Sequence, residues 1–218
     1  MSRPPPVFDE RYYRAAYRDY SRQNPPRKLR FYHRLLAAHL GSPGPVSVLD
    51  VGCAFGSFLE SLPGEWQRYG IDASAYAIEQ GRARVPGLSL AAATLDATPF
   101  RGPFDAVTSF DVIEHIADLD GAARMVHGLL KPGGVFVFVV PVYDGPLGWL
   151  VRRLDKDPTH VHKMPRNFWL EWAARTFEVV EWLGTYRYLT PLGVYVHFAS
   201  RRLRRWSPAV AVAARRRN

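Results

Sequence analysis

Six consecutive apolar residues, Val135–Val140 (VFVFVV), constrain this chain more than any other stretch. A run of that length is strand-sized and far short of a membrane span. With no polar side chain to turn toward water, such a strand must be covered on both faces. Two-sided cover implies a parallel sheet whose strands are joined by helical crossovers. The flanking sequence supplies that alternation. Strands are predicted at Val46–Val51, Arg68–Asp72, Leu88–Ala92, Phe104–Phe110, Val135–Val140 and Phe177–Leu183, with a last one at Val210–Ala214. Helical patterns fall between them, at Gly56–Leu62, from a Ser74 cap to about Arg84, and at Asp118–Leu130, Leu147–Leu154 and Pro165–Arg175. Lys131–Gly134 reads as the turn that stops the helix before it, and Asp155–Met164 as a polar loop. In such sheets ligands sit at the carboxyl ends of the strands.

Residues 1–40 form a separate helical cap in this reading. Tyr13, Ala16, Tyr17 and Tyr20 share one face, Asn24-Pro25-Pro26 breaks the chain, and Leu29, Tyr32, Leu35, Leu36 and Leu40 resume helical spacing. The main domain is then 41–218, with an insertion at 185–206 before the last strand. The chain of 218 residues is long enough for one domain with a full core.

The net charge of +9 is unevenly placed. Residues 201–218 hold seven arginines and no acid, leaving 22 bases against 20 acids in the first 200. A nearly neutral body argues against a nucleic-acid partner. The basic tail reads as a solvated terminus, with peripheral contact to an anionic surface as the sharper alternative. The single cysteine, Cys53, excludes an internal disulfide framework, and the start lacks an apolar leader, so a cytoplasmic location is expected.

The most informative motif is VLDVGCAFGSFLESL, Val48–Leu62. It places Asp50 at a strand end and Gly52 and Gly56 in the turn to a helix. Gly52 removes a side chain where backbone bends or meets a ligand. The second glycine of a G-x-G-x-x-G dinucleotide turn is missing, and no phosphate-binding lysine follows. The D-x-G-x-x-x-G pattern instead resembles the class I S-adenosylmethionine-dependent methyltransferases. Further motifs follow in that family's order over Val46 to about Leu183: YGIDAS, LDATPF, FDAVTSFDVIEHI, LLKPGGVFVFVVP and RTFEVVEWLG. The resemblance implies a Rossmann-like α/β fold, doubly wound, with a mostly parallel seven-stranded sheet, helices on both faces and an N-terminal helical cap.

It also implies a cofactor, S-adenosylmethionine, leaving as S-adenosylhomocysteine. Asp72, with Ala73, would grip the ribose; Asp96, with Ala97, would meet the adenine amino group. Asp50 would lie near the cofactor's ammonium, and backbone at Gly52, Cys53, Ala54 and Gly56 would receive its carboxylate. Phe110, Asp111 and His115 would line the methionine end. Tyr20 would contribute from the cap. Cys53 and Phe55 are expected to serve fit, without a reactive thiol.

Methyl transfer to a hydroxyl benefits from a base, and His115, His160 and His162 are the candidates. If the turn becomes helical at Asp111, Glu114 and His115 share its face. Some relatives bind a divalent metal through E-x-x-E-H there. This chain has the shorter Asp111 in first place, and no metal is expected. His160 and His162 would point the same way in an extended loop. The insertion at 185–206, rich in Tyr, Leu and Arg, is placed to build an acceptor pocket. The expected activity is methyl transfer by in-line displacement to a small-molecule acceptor, most simply a hydroxyl oxygen. The alternatives are an RNA or protein methyltransferase, or a binding module without turnover. Against the former, NPPR at Asn24 precedes the first strand and is no amine-methylation motif.

Overall fold

A computed structural model of the protein describes residues 8, 10–11, 23–41, 44–146, 148–155, 157–189 and 195–217. The cap residues Tyr13, Ala16, Tyr17, Tyr20 and Arg22 lie outside them. Helix α1 (Pro26–Ala37) starts with proline at its first position, where the missing N–H costs nothing. Then come β1 (Ser47–Val51), α2 (Ser57–Glu60), β2 (Gln67–Asp72), α3 (Ala75–Arg84) and β3 (Ser89–Ala92). Next are β4 (Phe104–Phe110), α4 (Leu119–Leu129), β5 (Leu130–Pro141) and α5 (Gly148–Leu154). The chain closes with α6 (Arg166–Thr176), β6 (Phe177–Leu189), β7 (Tyr195–Ser200) and β8 (Ala209–Arg216). The expected Ser74 cap is in place, and Asp118, read as the first residue of its helix, caps it instead. The Ser74 hydroxyl accepts from the Ala77 N–H (3.2 Å), and the Asp118 carboxylate from the Gly121 N–H (2.8 Å).

The strands form one sheet in the order β3-β2-β1-β4-β5-β8-β6-β7. Strands β1 to β5 pair in parallel; β8 runs antiparallel between β5 and β6, and β7 antiparallel on the edge of β6. Two-sided burial is plain in β5. Phe136, Phe138 and Val140 face one cluster with Trp169, Trp172 and Phe177; Val135, Val137 and Val139 face another with Tyr32, Leu35, Leu36 and Phe58. Strand β8 alternates in the same sense, Val210, Val212 and Ala214 against Ala211 and Ala213. Helices α4 and α6 cover the first face and α1, α2 and α3 the second, so α1 shares the main core.

Three expectations are corrected. The sheet has eight strands, because much of the 185–206 insertion is strand: β6 runs on to Leu189 and pairs with β7. The Lys131–Gly134 turn is absorbed into an irregular start of β5, where pairing steps from Phe104–Leu130 to Ala106–Val135. The basic tail is no solvated terminus. Its second half is the buried strand β8, and its last three arginines end on backbone carbonyls. Arg215 donates to Gly133 (2.9 Å) and His39 (3.1 Å), Arg216 to Leu130, and Arg217 to Ala174 (3.0 Å). A guanidinium there caps carbonyls that a neighbouring helix end or loop leaves unpaired.

A chain ending at Ser200 lacks the strand between β5 and β6 and is expected to give no cooperative thermal transition by circular dichroism. Val212→Asp, which buries a lone carboxylate, is expected to cost about 4 kcal/mol or more in urea unfolding.

Candidate functional site

The parallel strands deliver the sequence-predicted residues to one edge. Asp50 lies at the end of β1, Asp72 ends β2 with Ala73 after it, and Phe110 ends β4. Asp96 and Ala97 sit exposed in a 3-10 turn, Leu95–Ala97, after β3. The glycine turn after β1 holds three residues at positive φ: Gly52 at 78°, Ala54 at 47° and Gly56 at 74°. Its shape is set by β2. The Gly52 and Cys53 N–H groups both donate to the Ile71 carbonyl, at 2.8 and 3.0 Å. A Cβ on Gly52 would run into the Val112 side chain, so glycine is required by packing as well as by φ.

Asp72 is the latch of this turn. Its Oδ2 accepts the Ala54 N–H (2.9 Å) and its Oδ1 the Ser74 N–H (2.8 Å). Both carboxylate oxygens thus hold the backbone of the turn and of the segment after β2. Asp50 is 3% exposed, and the Thr108 hydroxyl donates to its Oδ1 at 2.6 Å. Burial pushes its carboxyl up to about 7; the Thr108 bond opposes this and the Asp72 charge adds to it. Burial also pushes the Cys53 thiol up, so a thiolate is disfavoured. Phe110 is stacked on Tyr32 of α1 (4.1 Å between centroids) and edge-on to Phe58 (4.8 Å).

Beyond β4 the chain departs from the expected helix. Asp111 takes φ +60°, and a 3-10 turn follows at Ile113–His115. This sends Asp111 and Glu114 to different partners. Asp111 pairs with Arg187 of β6. Burial would raise its carboxyl, but Arg187 and Lys28 outweigh this and hold it below the usual range. Lys28, buried in α1, is itself lowered by burial to about 8. The proposed grouping of Asp111 with Glu114 and His115 is therefore not formed.

Glu114 instead meets the 155–164 loop. Its backbone carbonyl accepts the Val161 and His162 N–H groups at 3.1 and 3.0 Å. Its carboxyl is fully buried, and neither oxygen has a hydrogen-bond partner among the described residues. Burial, then the Asp111 charge, push it well above the usual carboxylate range. His160 approaches with Nε2 3.9 Å from Glu114 Oε1, and its ring is 4.7 Å from that of His115.

Neighbouring acids set the tautomers of both imidazoles. Asp155 Oδ2 accepts from Tyr143 Oη (2.5 Å) and from Lys163 Nζ (2.7 Å), and it lies 2.9 Å from His160 Nδ1. Burial acts to raise this carboxyl, but its bonds to Lys163, Tyr143 and His160 hold it far below the usual range. As an acceptor only, it requires a proton on His160 Nδ1, so that in the neutral ring the lone pair is on Nε2. Asp157 acts one step back on His115. The Thr159 hydroxyl donates to Asp157 Oδ1 (2.5 Å) and so accepts from His115 Nδ1 at 2.9 Å. Burial, then His160, lower the His115 pKa, which favours its neutral form.

His162 does not join this group. Its Nε2 lies 3.0 Å from the Ile116 carbonyl, so it ties the loop to the turn. Tyr20 lies outside the described residues. Glu114, His115 and His160 each offer a ligand atom within 4.8 Å of the others, a set able to hold a metal ion. Asp155, Tyr143, Thr108 and Arg187 are participants that motif spacing does not mark. Tyr143 stands just past a strand end, the one positional signal available.

A family profile described as a methyltransferase domain matches residues 18–206. The ubiquinone biosynthesis O-methyltransferase of Leptothrix cholodnii is 33% identical over 122 residues, 51% of each chain. The malonyl-[acyl-carrier protein] O-methyltransferase of Pseudescherichia vulneris is 31% identical over 114 residues, 48% of this chain and 42% of its own. The chain thus spans about half the length of the curated relatives it matches. A Haloferax volcanii putative methyltransferase, solved with the Trm112 methyltransferase activator, superposes with a TM-score of 0.71 at 18% identity, over 98% of this chain and all of its own.

The raised Asp50 pKa has a testable sign. Between about pH 4 and 7 the folded state keeps a proton that the unfolded state releases, so stability falls as pH rises through that window. Asp50→Asn is expected to remove up to about 4 kcal/mol of this pH dependence, in urea unfolding from pH 4 to 8.

Proposed function

The chain belongs to the methyltransferase-domain family, of the class I, S-adenosylmethionine-dependent type, and we propose that it moves a methyl group to a hydroxyl oxygen of a small-molecule acceptor. The observation that carries this is the Asp155–His160 pair, which turns His160 Nε2 toward Glu114, past the ends of β4 and β5. Nitrogen and sulfur nucleophiles need less help from a base; a hydroxyl needs its proton taken. The O-methyltransferase names of the relatives of Leptothrix cholodnii and Pseudescherichia vulneris support the same choice.

The residues at the strand ends suit the cofactor. Asp50 is a buried carboxyl dominated by burial, a hydroxyl and another acid, and an ammonium beside it would supply the missing cation. Asp72 is the expected ribose ligand, and Asp96 and Ala97 lie beyond it in line. S-adenosylmethionine, when bound, supplies a methyl carbon on a sulfonium leaving group. The chain's part is alignment, exclusion of water and proton removal. Bound there, the cofactor would offer its methyl carbon to the acceptor oxygen and keep the carbon–sulfur electron pair on sulfur, leaving the hydroxyl proton for the chain to remove. His160 Nε2 receives the hydroxyl proton, and Asp155 stabilises the resulting imidazolium. His115 orders the same wall. Asp111 and Phe110 shape the methionine end, and the 185–206 segment contributes Arg187 to the acceptor side.

A second reading has its own observation, the three donor atoms of Glu114, His115 and His160 within 4.8 Å. A divalent cation there would polarise the acceptor hydroxyl in place of a free base.

Calorimetry is expected to show binding of S-adenosylhomocysteine and none of NAD; the reverse would end the proposal. His160→Gln is expected to lower kcat about 100-fold with S-adenosylhomocysteine affinity unchanged, measured on a panel of hydroxylated acceptors. Prolonged dialysis against a chelator is expected to leave the rate intact. A loss restored by a divalent cation would replace the base by a metal.

A further inference from the structure

Part of the positive charge of this chain stands exposed on two neighbouring segments, α5 and the turn before β8. Arg215, Arg216 and Arg217 are spent on backbone carbonyls. Arg201 pairs with Glu181, and Arg204 lies over the Trp182 ring at 3.9 Å. Arg202 and Arg205 remain exposed in the turn before β8, and Arg152 and Arg153 are exposed on α5. These two segments are neighbours. The Val142 N–H donates to the Pro208 carbonyl (3.0 Å), and a Cβ on Gly145 would lie 2.8 Å from the Arg205 carbonyl oxygen. Buried Arg166 stitches them, through Asp144 on one side and the Arg204 and Ser207 carbonyls on the other.

Among the described residues, the same segments carry four of the six large apolar side chains that stand exposed, the other two being Val161 and Phe198. Trp149 is 67% exposed and Leu154 64% on α5, and Trp206 is 54% and Leu203 50% in the turn. Two tryptophans and two leucines so exposed are a costly arrangement for water alone. The acids of these segments are already committed, Asp144 to Arg166 and Asp155 to Lys163. Among the described residues Arg153, Arg202 and Arg205 are in no ion pair.

We propose that Trp149, Leu154, Leu203 and Trp206, rimmed by Arg152, Arg153, Arg202 and Arg205, form a surface that docks on an anionic lipid membrane. Tryptophan rings settle at the headgroup level, the leucines enter the acyl boundary, and the guanidinium groups meet lipid phosphates. Single-stranded nucleic acid also takes aromatic and arginine contacts, but it gives no use to the exposed leucines. The patch flanks the carboxyl end of β5, the edge that carries the candidate site, so an apolar acceptor could pass from bilayer to site. The docking itself does not depend on the methyltransferase function.

The test is flotation of the full chain with vesicles of phosphatidylcholine, alone or mixed with phosphatidylglycerol. Binding to the mixed vesicles only, weakened by high salt, is expected. The double variant Trp149→Ser/Trp206→Ser is expected to lose binding at least tenfold. Arg153→Glu/Arg202→Glu/Arg205→Glu is expected to lose roughly fivefold or more per position. All these residues are exposed, so thermal melts should match the parent and separate lost docking from lost folding. Absence of binding to mixed vesicles, or binding indifferent to both variants, would overturn the proposal. So would tighter binding to a single-stranded oligonucleotide that the same variants abolish.

Discussion

The need to bury both faces of β5 and β8 governs the rest of the molecule. Every side chain from Val135 to Val140 is shielded from water, and so is every one from Ala209 to Ala214. A sheet with such a centre requires helices on each side, and parallel strands require long crossovers to reach them. The crossovers bring strand after strand back in one direction. The carboxyl ends of β1, β2, β3 and β4 are thereby gathered along a single edge. Loops there escape the packing demands of the core and are available for chemistry.

At that edge, polar groups do structural work before they can do any other. Asp72 closes the glycine turn through two backbone N–H groups. The Glu114 carbonyl anchors the histidine loop while its carboxyl has no hydrogen bond among the described residues. A buried carboxyl without a hydrogen bond is costly in a folded protein, and such cost is typically borne where chemistry needs it. Asp155 and Asp157 complete the arrangement by fixing which ring nitrogens of His160 and His115 keep a proton.

How much was legible followed from range. Strand and helix positions came from local periodicity, and most of the observed elements fall within a residue or two of them. Ser74 was readable as a cap because a cap acts within three residues. The acids at strand ends were readable because motif spacing is a local property. Asp155, Tyr143 and Arg187 were not, since each matters through a partner 5, 17 or 76 residues away. The basic tail was misjudged for the same reason: a run of arginines looks solvated until the carbonyls it caps are known.

The sequence by itself determined the two-sided sheet, the turn after β1 and the order of acids along the strands. Those follow from hydrophobic period and backbone preference, which neighbouring residues set between them. Only the tertiary structure decided which histidine faces Glu114, that Asp111 turns to Arg187 instead, and that Arg152 and Arg153 share neighbouring segments with Arg202 and Arg205. Those outcomes depend on distances between segments remote in the chain, and Coulomb and hydrogen-bond energies exist only once folding has set the distances.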